Sequence, residues 1–140
     1  MSDKLDYKKC EPCTGNTPKL NQVEITKYLS ELDDWTVNNE QEMIFKKFKF
    51  KSFKQALNFT NIIGELAESE GHHPDISLGW GYVLVMLHTH AIKGLSLNDF
   101  VLASKIACFS LTFLSILRAF IEYKLSLLQT QKLSFFKLGY

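Results

Sequence analysis

A chain of 140 residues is one domain's worth of sequence, enough to bury a single core. Its 16 Lys+Arg balance 15 Asp+Glu, which argues against a polybasic nucleic-acid binder relying on a large positive excess. The 46% hydrophobic content argues against an acidic disordered chain, and three Cys, an odd count, do not make a disulfide framework.

The opening Met1-Ser2-Asp3-Lys4-Leu5-Asp6 has no apolar stretch of the kind that marks a secretory signal, so a cytoplasmic protein is expected. Residues 1–20 hold Cys10-Glu11-Pro12-Cys13 and Thr14-Gly15-Asn16-Thr17-Pro18, a Pro and Gly density that predicts an irregular N-terminal arm. Asn21 followed by Glu24 fits a helix N-cap with an acidic third position. Val23, Ile25, Tyr28, Leu29 and Leu32 then recur at roughly helical spacing, with Asp33-Asp34 as the end. Trp35 opens a new segment, Asn38-Asn39 reads as a hairpin turn, and Met43 to Phe50 is strand-like. In that strand Phe48 and Phe50 alternate with Lys47, Lys49 and Lys51, the period of a half-buried strand.

Ser52 to Gln55 is a capping box opening the clearest helix. Its expected buried stripe is Phe53, Ala56, Leu57, Thr60, Ile63, Gly64 and Ala67, broadened by Phe59, Ile62 and Leu66. Gly71 supplies the stop and Pro74 prevents continuation. Next come a short strand over Asp75 to Leu78 and a longer one over Tyr82 to His90. In the longer strand Val83, Val85, Leu87 and Thr89 share one face, and Tyr82, Leu84, Met86, His88 and His90 the other. Leu84 and Met86 make that second face partly apolar, so it is expected to be covered, by another subunit or by the tail. Ser96 to Asp99 is a second capping box, before a last helix through Phe100, Leu102, Ala103 and Ile106.

The order helix, strand, strand, helix, strand, strand, helix predicts an α+β domain over residues 21–106, with helices on one face of a four-stranded antiparallel sheet. Composition breaks near residue 106. Residues 107–140 form an atypical apolar C-terminal extension, read either as a longer helix, in which Phe109, Phe113, Ile116, Leu117 and Phe120 continue the helical stripe of Ile106, or as a misread terminus with no selected role. Only twelve residues separate Lys105 from Arg118, short of the ~20 a membrane-spanning helix needs, so no membrane partner is expected.

All four histidines, His72, His73, His88 and His90, fall within nineteen residues, at the end of a helix and the end of a strand. Imidazole both gives and takes a proton near neutral pH. Glu68 lies four residues before His72, placed to share a side of the helix end and to orient that imidazole. Neither a His-x-x-x-His helix nor a zincin pattern is present, so no metal is expected. Cys10-x-x-Cys13 lacks the second ligand pair of a structural zinc site and reads as two thiols in an ordinary arm. Asp75 beside Pro74 reads most simply as a turn residue, and Trp80 and Tyr82 are candidates either to stack on a flat ring or to pack between strands.

Glu68-x-x-x-His72-His73-Pro74-Asp75-Ile76, then Trp80, Thr89-His90 and Gly94-Leu95-Ser96-x-x-Asp99, resembles the pterin-4a-carbinolamine dehydratase family. Cys10-x-x-Cys13, Leu32-x-x-Trp35, Phe48-x-Phe50-x-x-Phe53-x-x-Ala56-Leu57 and Ala103-x-Lys105-Ile106 extend the resemblance to its bacterial-type branch, over about residues 8–106. The resemblance implies the fold order above and a cofactor-free, metal-free reaction. In it a 4a-hydroxytetrahydropterin loses water to give quinonoid dihydropterin, recycling the cofactor of an aromatic amino acid hydroxylase. It implies His72, His73, His90 and Glu68 as catalytic residues, with His72 and His90 as the proton-transfer pair and His73 binding and sharing charge. Gly71, His88, Thr89 and Ala91 are the implied substrate readers through their backbone, with Trp80 beside them. The side chain of His88 is expected to be dispensable, and a homo-oligomer is expected. The other reading is a non-catalytic binding module of the same fold, a dimerisation cofactor or an assembly factor.

Overall fold

The computed structural model describes residues 4–110. The chain divides into two compact units, Met1–Cys108 and Phe109–Tyr140. The sheet and the hydrophobic core belong to the first. The expected stripe through Phe113, Ile116, Leu117 and Phe120 lies outside the described residues.

Helix α1 spans Gln22–Leu29. Asn21 caps it: its side chain accepts from the Val23 and Glu24 N–H groups, and the Glu24 carboxylate accepts from the Asn21 N–H. These bonds satisfy donors that a helix N-terminus otherwise leaves bare. The helix ends earlier than Asp33-Asp34, because the Leu32 N–H turns back to the Leu29 carbonyl and Asp34 takes a left-handed conformation (φ 59°). Val23, expected on the apolar stripe, is exposed, while Ile25 and Leu32 are buried.

Strands β1 (Thr36–Val37) and β2 (Ile44–Lys49) form a hairpin. Its connection is tied by Asn38, whose Oδ1 accepts from the Glu42 and Met43 N–H groups. Strands β3 (Asp75–Gly79) and β4 (Tyr82–Leu87) form a second hairpin around Trp80-Gly81, with Gly81 at φ 75°, a conformation open to glycine. The sheet order is β1-β2-β4-β3, antiparallel throughout. Register places Ile44, Lys46 and Phe48 opposite Leu87, Val85 and Val83 on the core face. Lys46 escapes that face by extending its ammonium to the Asp33 carbonyl at 2.7 Å. On the other face the Lys47 ammonium lies 4.3 Å from the Tyr82 ring centre, beside half-buried Leu84 and Met86.

Helix α2 (Phe53–Glu70) lies against β3 and β4. Ser52 Oγ accepts from the Gln55 N–H, but Gln55 Oε1 reaches back to the Lys51 N–H rather than to Ser52. The buried stripe is Ala56, Phe59, Ile63 and Ala67. Phe53 and Leu57, expected on it, are exposed. The stripe is thus centred on Phe59, whose ring sits 4.8 Å from Phe48 and 5.1 Å from Phe50. A last helix, α3, begins at residue 97 and is helical through residue 110. Its Phe100, Val101, Leu102, Ala103 and Ile106 complete the core.

A second boundary, besides the end of α1, differs from expectation. Strand β4 stops at Leu87 instead of running to His90. Thr89 makes only an isolated bridge to Gly94, and His90–Ile92 coils into a 3₁₀ turn closed by the Lys93 N–H on the His90 carbonyl. The N-terminal arm, expected to be irregular, holds one turn of regular structure and packs on the domain. Leu5–Tyr7 forms a 3₁₀ turn, and Leu5 and Cys10 are part of the core.

Candidate active site

Gly71 organises the site. It caps α2 in the left-handed region (φ 64°), and the His72 N–H closes on the Ala67 carbonyl. Immediately beyond this reversal, the two adjacent histidines diverge. His72 turns inward and is 6% exposed; the His73 side chain remains 59% exposed.

The inward ring meets a carboxylate from α3. His72 Nε2 lies 2.7 Å from Asp99 Oδ1, and Asp99 is fully buried. The other Asp99 oxygen accepts from the Thr89 hydroxyl and the Ser96 N–H, both at 2.8 Å. Ser96 Oγ packs 2.7 Å from Thr89 Oγ1. Asp99 therefore does two things at once: it caps α3 and holds one nitrogen of His72. With the Thr89 hydroxyl and the Ser96 N–H both donating to Oδ2, Asp99 serves as an acceptor, which favours the His72 proton on Nε2 and leaves Nδ1 as the acceptor nitrogen. Nδ1 lies 3.6 Å from Cys13 Sγ.

The expected partnership of Glu68 with His72 is not what the structure shows. Glu68 Oε1 pairs with His73 Nε2 at 3.0 Å. An uninterrupted helix would have put the residue four positions on above Glu68; Gly71 breaks that register by one residue.

Gly71, His72, His73, Pro74 and Asp75 line one side of a cleft of about 310 Å³, with Cys13, His88, Thr89, His90 and Ala91 completing it. All three catalytic histidine candidates thus face one space, together with Gly71, His88, Thr89 and Ala91. Trp80 does not join them. It stands 76% exposed at the turn of the second hairpin, at the opposite end of β3 and β4 from Asp75 and His88. A neighbouring cleft of about 450 Å³, lined by Asn38, Glu42, Met43, Lys93 and Gly94, shares His88 and His90 as its wall.

The Cys10-x-x-Cys13 arm carries two free thiols and is held in place by hydrogen bonds. The Asn98 side chain clamps it, accepting from the Glu11 N–H at 3.1 Å and donating to the Glu11 carbonyl at 2.6 Å and to Cys13 Sγ at 3.1 Å. Cys10 N–H donates to Glu70 Oε2, and Glu70 Oε1 takes the Lys105 ammonium at 2.6 Å. Burial, reinforced by the Glu70 charge, pushes the Cys10 thiol up to about 12, so it stays protonated and unreactive. Burial also works against the Glu70 carboxylate, but the hydrogen bonds from Lys105 and the Cys10 backbone outweigh it and hold its pKa below 4.5. A group whose folded pKa is depressed stabilises the fold above its unfolded pKa, and that contribution is lost as pH falls through the folded value. Glu70→Gln is therefore expected to lower the thermal midpoint by a few degrees at neutral pH. The gap to wild type should narrow below pH 4.5. Melting curves across pH 3–7 check this, and a gap constant down to the lowest pH would show that the ion pair is not its source.

Asp99 and Cys13 are the site residues that sequence reasoning missed. Asp99 carried a signal, but one fully explained by its place as third residue of a helix cap. Cys13 stood out only as half of Cys10-x-x-Cys13, with nothing to link it to His72, 59 residues away.

Residues 18–108 match the family described as Pterin 4 alpha carbinolamine dehydratase. A protein of Alkaliphilus metalliredigens named "Putative pterin-4-alpha-carbinolamine dehydratase" is 52% identical over 103 residues, 73% of this chain and 92% of the relative. One of Rickettsia bellii with the same name is 48% identical over 102 residues, 73% of this chain and 90% of the relative. Among solved structures, the "transcriptional coactivator/pterin dehydratase" of Brucella melitensis superposes with a TM-score of 0.62 at 32% identity, covering 65% of this chain and 97% of that one.

Proposed function

The chain belongs to the pterin-4a-carbinolamine dehydratase family, and from that membership we propose that it removes water from a 4a-hydroxytetrahydropterin to give the quinonoid dihydropterin. One observation carries the proposal: His72, His73 and His90 line a single cleft, with His72 Nε2 2.7 Å from a buried carboxylate. The reaction breaks the C4a–O bond, delivers a proton to the departing hydroxyl and takes one from a ring nitrogen, so substrate equals product plus water.

His72 and His90 form the proton-transfer pair. Asp99 holds Nε2–H of His72, leaving Nδ1 to accept the ring-nitrogen proton, with the Cys13 thiol at its side. This is the arrangement of a base oriented by a third group. His90, on the exposed turn, is the acid that meets the leaving hydroxyl. His73, paired with Glu68, shares charge with the substrate. Backbone groups of Gly71 and of 88–91 border the same space and read the polar edge of the pterin. The residues proposed for the chemistry supply acid and base directly and need no redox cofactor. The half-buried Leu84 and Met86 on the outer sheet face support a homo-oligomer, and a tetrahydropterin-using aromatic amino acid hydroxylase is the class of enzyme that would supply the substrate.

The test is dehydration of a 4a-hydroxytetrahydropterin generated in situ, with the spontaneous reaction as baseline. The wild-type chain is expected to accelerate it. A folded chain that leaves the spontaneous rate unchanged overturns the proposal and gives the lead to the non-catalytic binding-module reading.

A further inference from the structure

We propose that Asp75, His88 and His90 form a binding site for a first-row divalent transition-metal ion, for which zinc is the probe. Each offers one donor atom, and the three donors lie within 4.8 Å of one another. His88 Nδ1 is 3.8 Å from Asp75 Oδ2, and the His88 and His90 ring centres are 4.0 Å apart, tilted by 47°.

The scaffold fixes this convergence. Asp75 begins β3 and pairs in register with Met86 of β4, two residues before His88. His88 and His90 leave the end of β4 separated by a single residue, Thr89, whose hydroxyl is anchored on Asp99. The three side chains thus gather at one end of the β3–β4 hairpin. Among the described residues the His90 ring makes no hydrogen bond, so its nitrogens are available. Spacing rules overlooked the site because its carboxylate comes from the neighbouring strand, thirteen positions before His88.

Two imidazoles and one carboxylate suit zinc, nickel, copper or iron(II), whereas magnesium and calcium favour oxygen ligands alone. Bonds of about 2.0–2.2 Å set tetrahedral donors about 3.4 Å apart. With all donors within 4.8 Å of one another, no separation has to close by more than about 1.4 Å to reach that spacing. Asp75 and His90 are exposed and His88 is partly so, leaving room for the small rotations required. Three protein ligands leave a fourth position for water. One consequence rests on the dehydratase reading: an ion on His90 occupies the nitrogen that would exchange a proton, so the bound metal inhibits.

Calorimetric titration of the full chain with zinc, alongside cobalt(II) absorption spectra, tests the site without reference to activity. One ion per chain is expected, with cobalt bands of nitrogen and oxygen ligation. Asp75→Asn and His88→Asn should each weaken binding at least about tenfold, the smallest loss usual even for an outer-shell partner. His73→Ala should leave it unchanged. Absence of one-to-one binding overturns the assignment. So does affinity indifferent to both substitutions, or a cobalt spectrum with thiolate charge-transfer bands, which would move the ion to Cys13. A chain that binds zinc as described but fails to dehydrate a pterin keeps the metal site and loses only the inhibition.

Discussion

His72→Ala and His90→Ala are each expected to lower the dehydration rate constant by about 10²–10⁴-fold, the usual contribution of a positioned acid or base. Asp99→Asn should lose most of the His72 factor where its NH2 turns to His72, and stability where it turns to Thr89 and Ser96. The buried Asp99 carboxylate accepts at both oxygens, from His72 on one side and from Thr89 and Ser96 on the other. An asparagine accepts at one end only. Either its NH2 faces Thr89 and Ser96, leaving donors opposed, or it faces His72 and forces the ring to give up Nε2–H. The first arrangement costs about 1–3 kcal/mol of stability; the second puts the proton on Nδ1, where the base should be free. The double variant His72→Ala with Asp99→Asn should be scarcely slower than His72→Ala alone, since the carboxylate acts through the imidazole. Rates relative to the spontaneous reaction, with circular dichroism to confirm folding, decide it. A folded His72→Ala chain at the wild-type rate would remove that ring from the chemistry.

Phe59→Ala should destabilise the fold by about 3–5 kcal/mol, the usual cost of emptying a buried aromatic position. Phe59 is fully buried and joins α2 to the sheet through the rings of Phe48 and Phe50. Against a typical total of about 5–15 kcal/mol, that loss lowers the melting midpoint by roughly 10–20 °C. Phe53→Ala, six residues earlier on the exposed side, should shift it far less. Equal shifts for the two would contradict the orientation of α2.

The contrast between those phenylalanines shows what was legible in advance. The order of elements and the caps at Asn21 and Ser52 follow from local chemistry, which sequence carries directly. The face of α2 does not, because Phe53, Leu57 and Phe59 are all apolar and only the sheet decides which are covered. The site behaves the same way. The histidine cluster was visible as a local density of one residue type. The partner of His72 was not, because a left-handed glycine shifts the register that pairs Glu68 with its neighbour. Cys13 lines the cleft and Asp99 holds His72 from behind it, each from a part of the chain that sequence spacing cannot connect.

The clamp between the arm and Asn98 also carries a meaning for how the chain is made. Glu11 and Asn98 are 87 residues apart, so at about 5–20 residues per second a ribosome emits the arm roughly 4–17 s before its anchor exists. Glu70 and His72, the partners of Cys10 and Cys13, emerge about two thirds of the way through that interval, and Asn98, which clamps the arm, only at its end. The cleft, which needs Cys13 from the first part of the chain to emerge and Asp99 from nearly the last part of the domain, is among the last features to be assembled. Synthesis must therefore run almost to the end of this unit before any nascent chain holds a complete site.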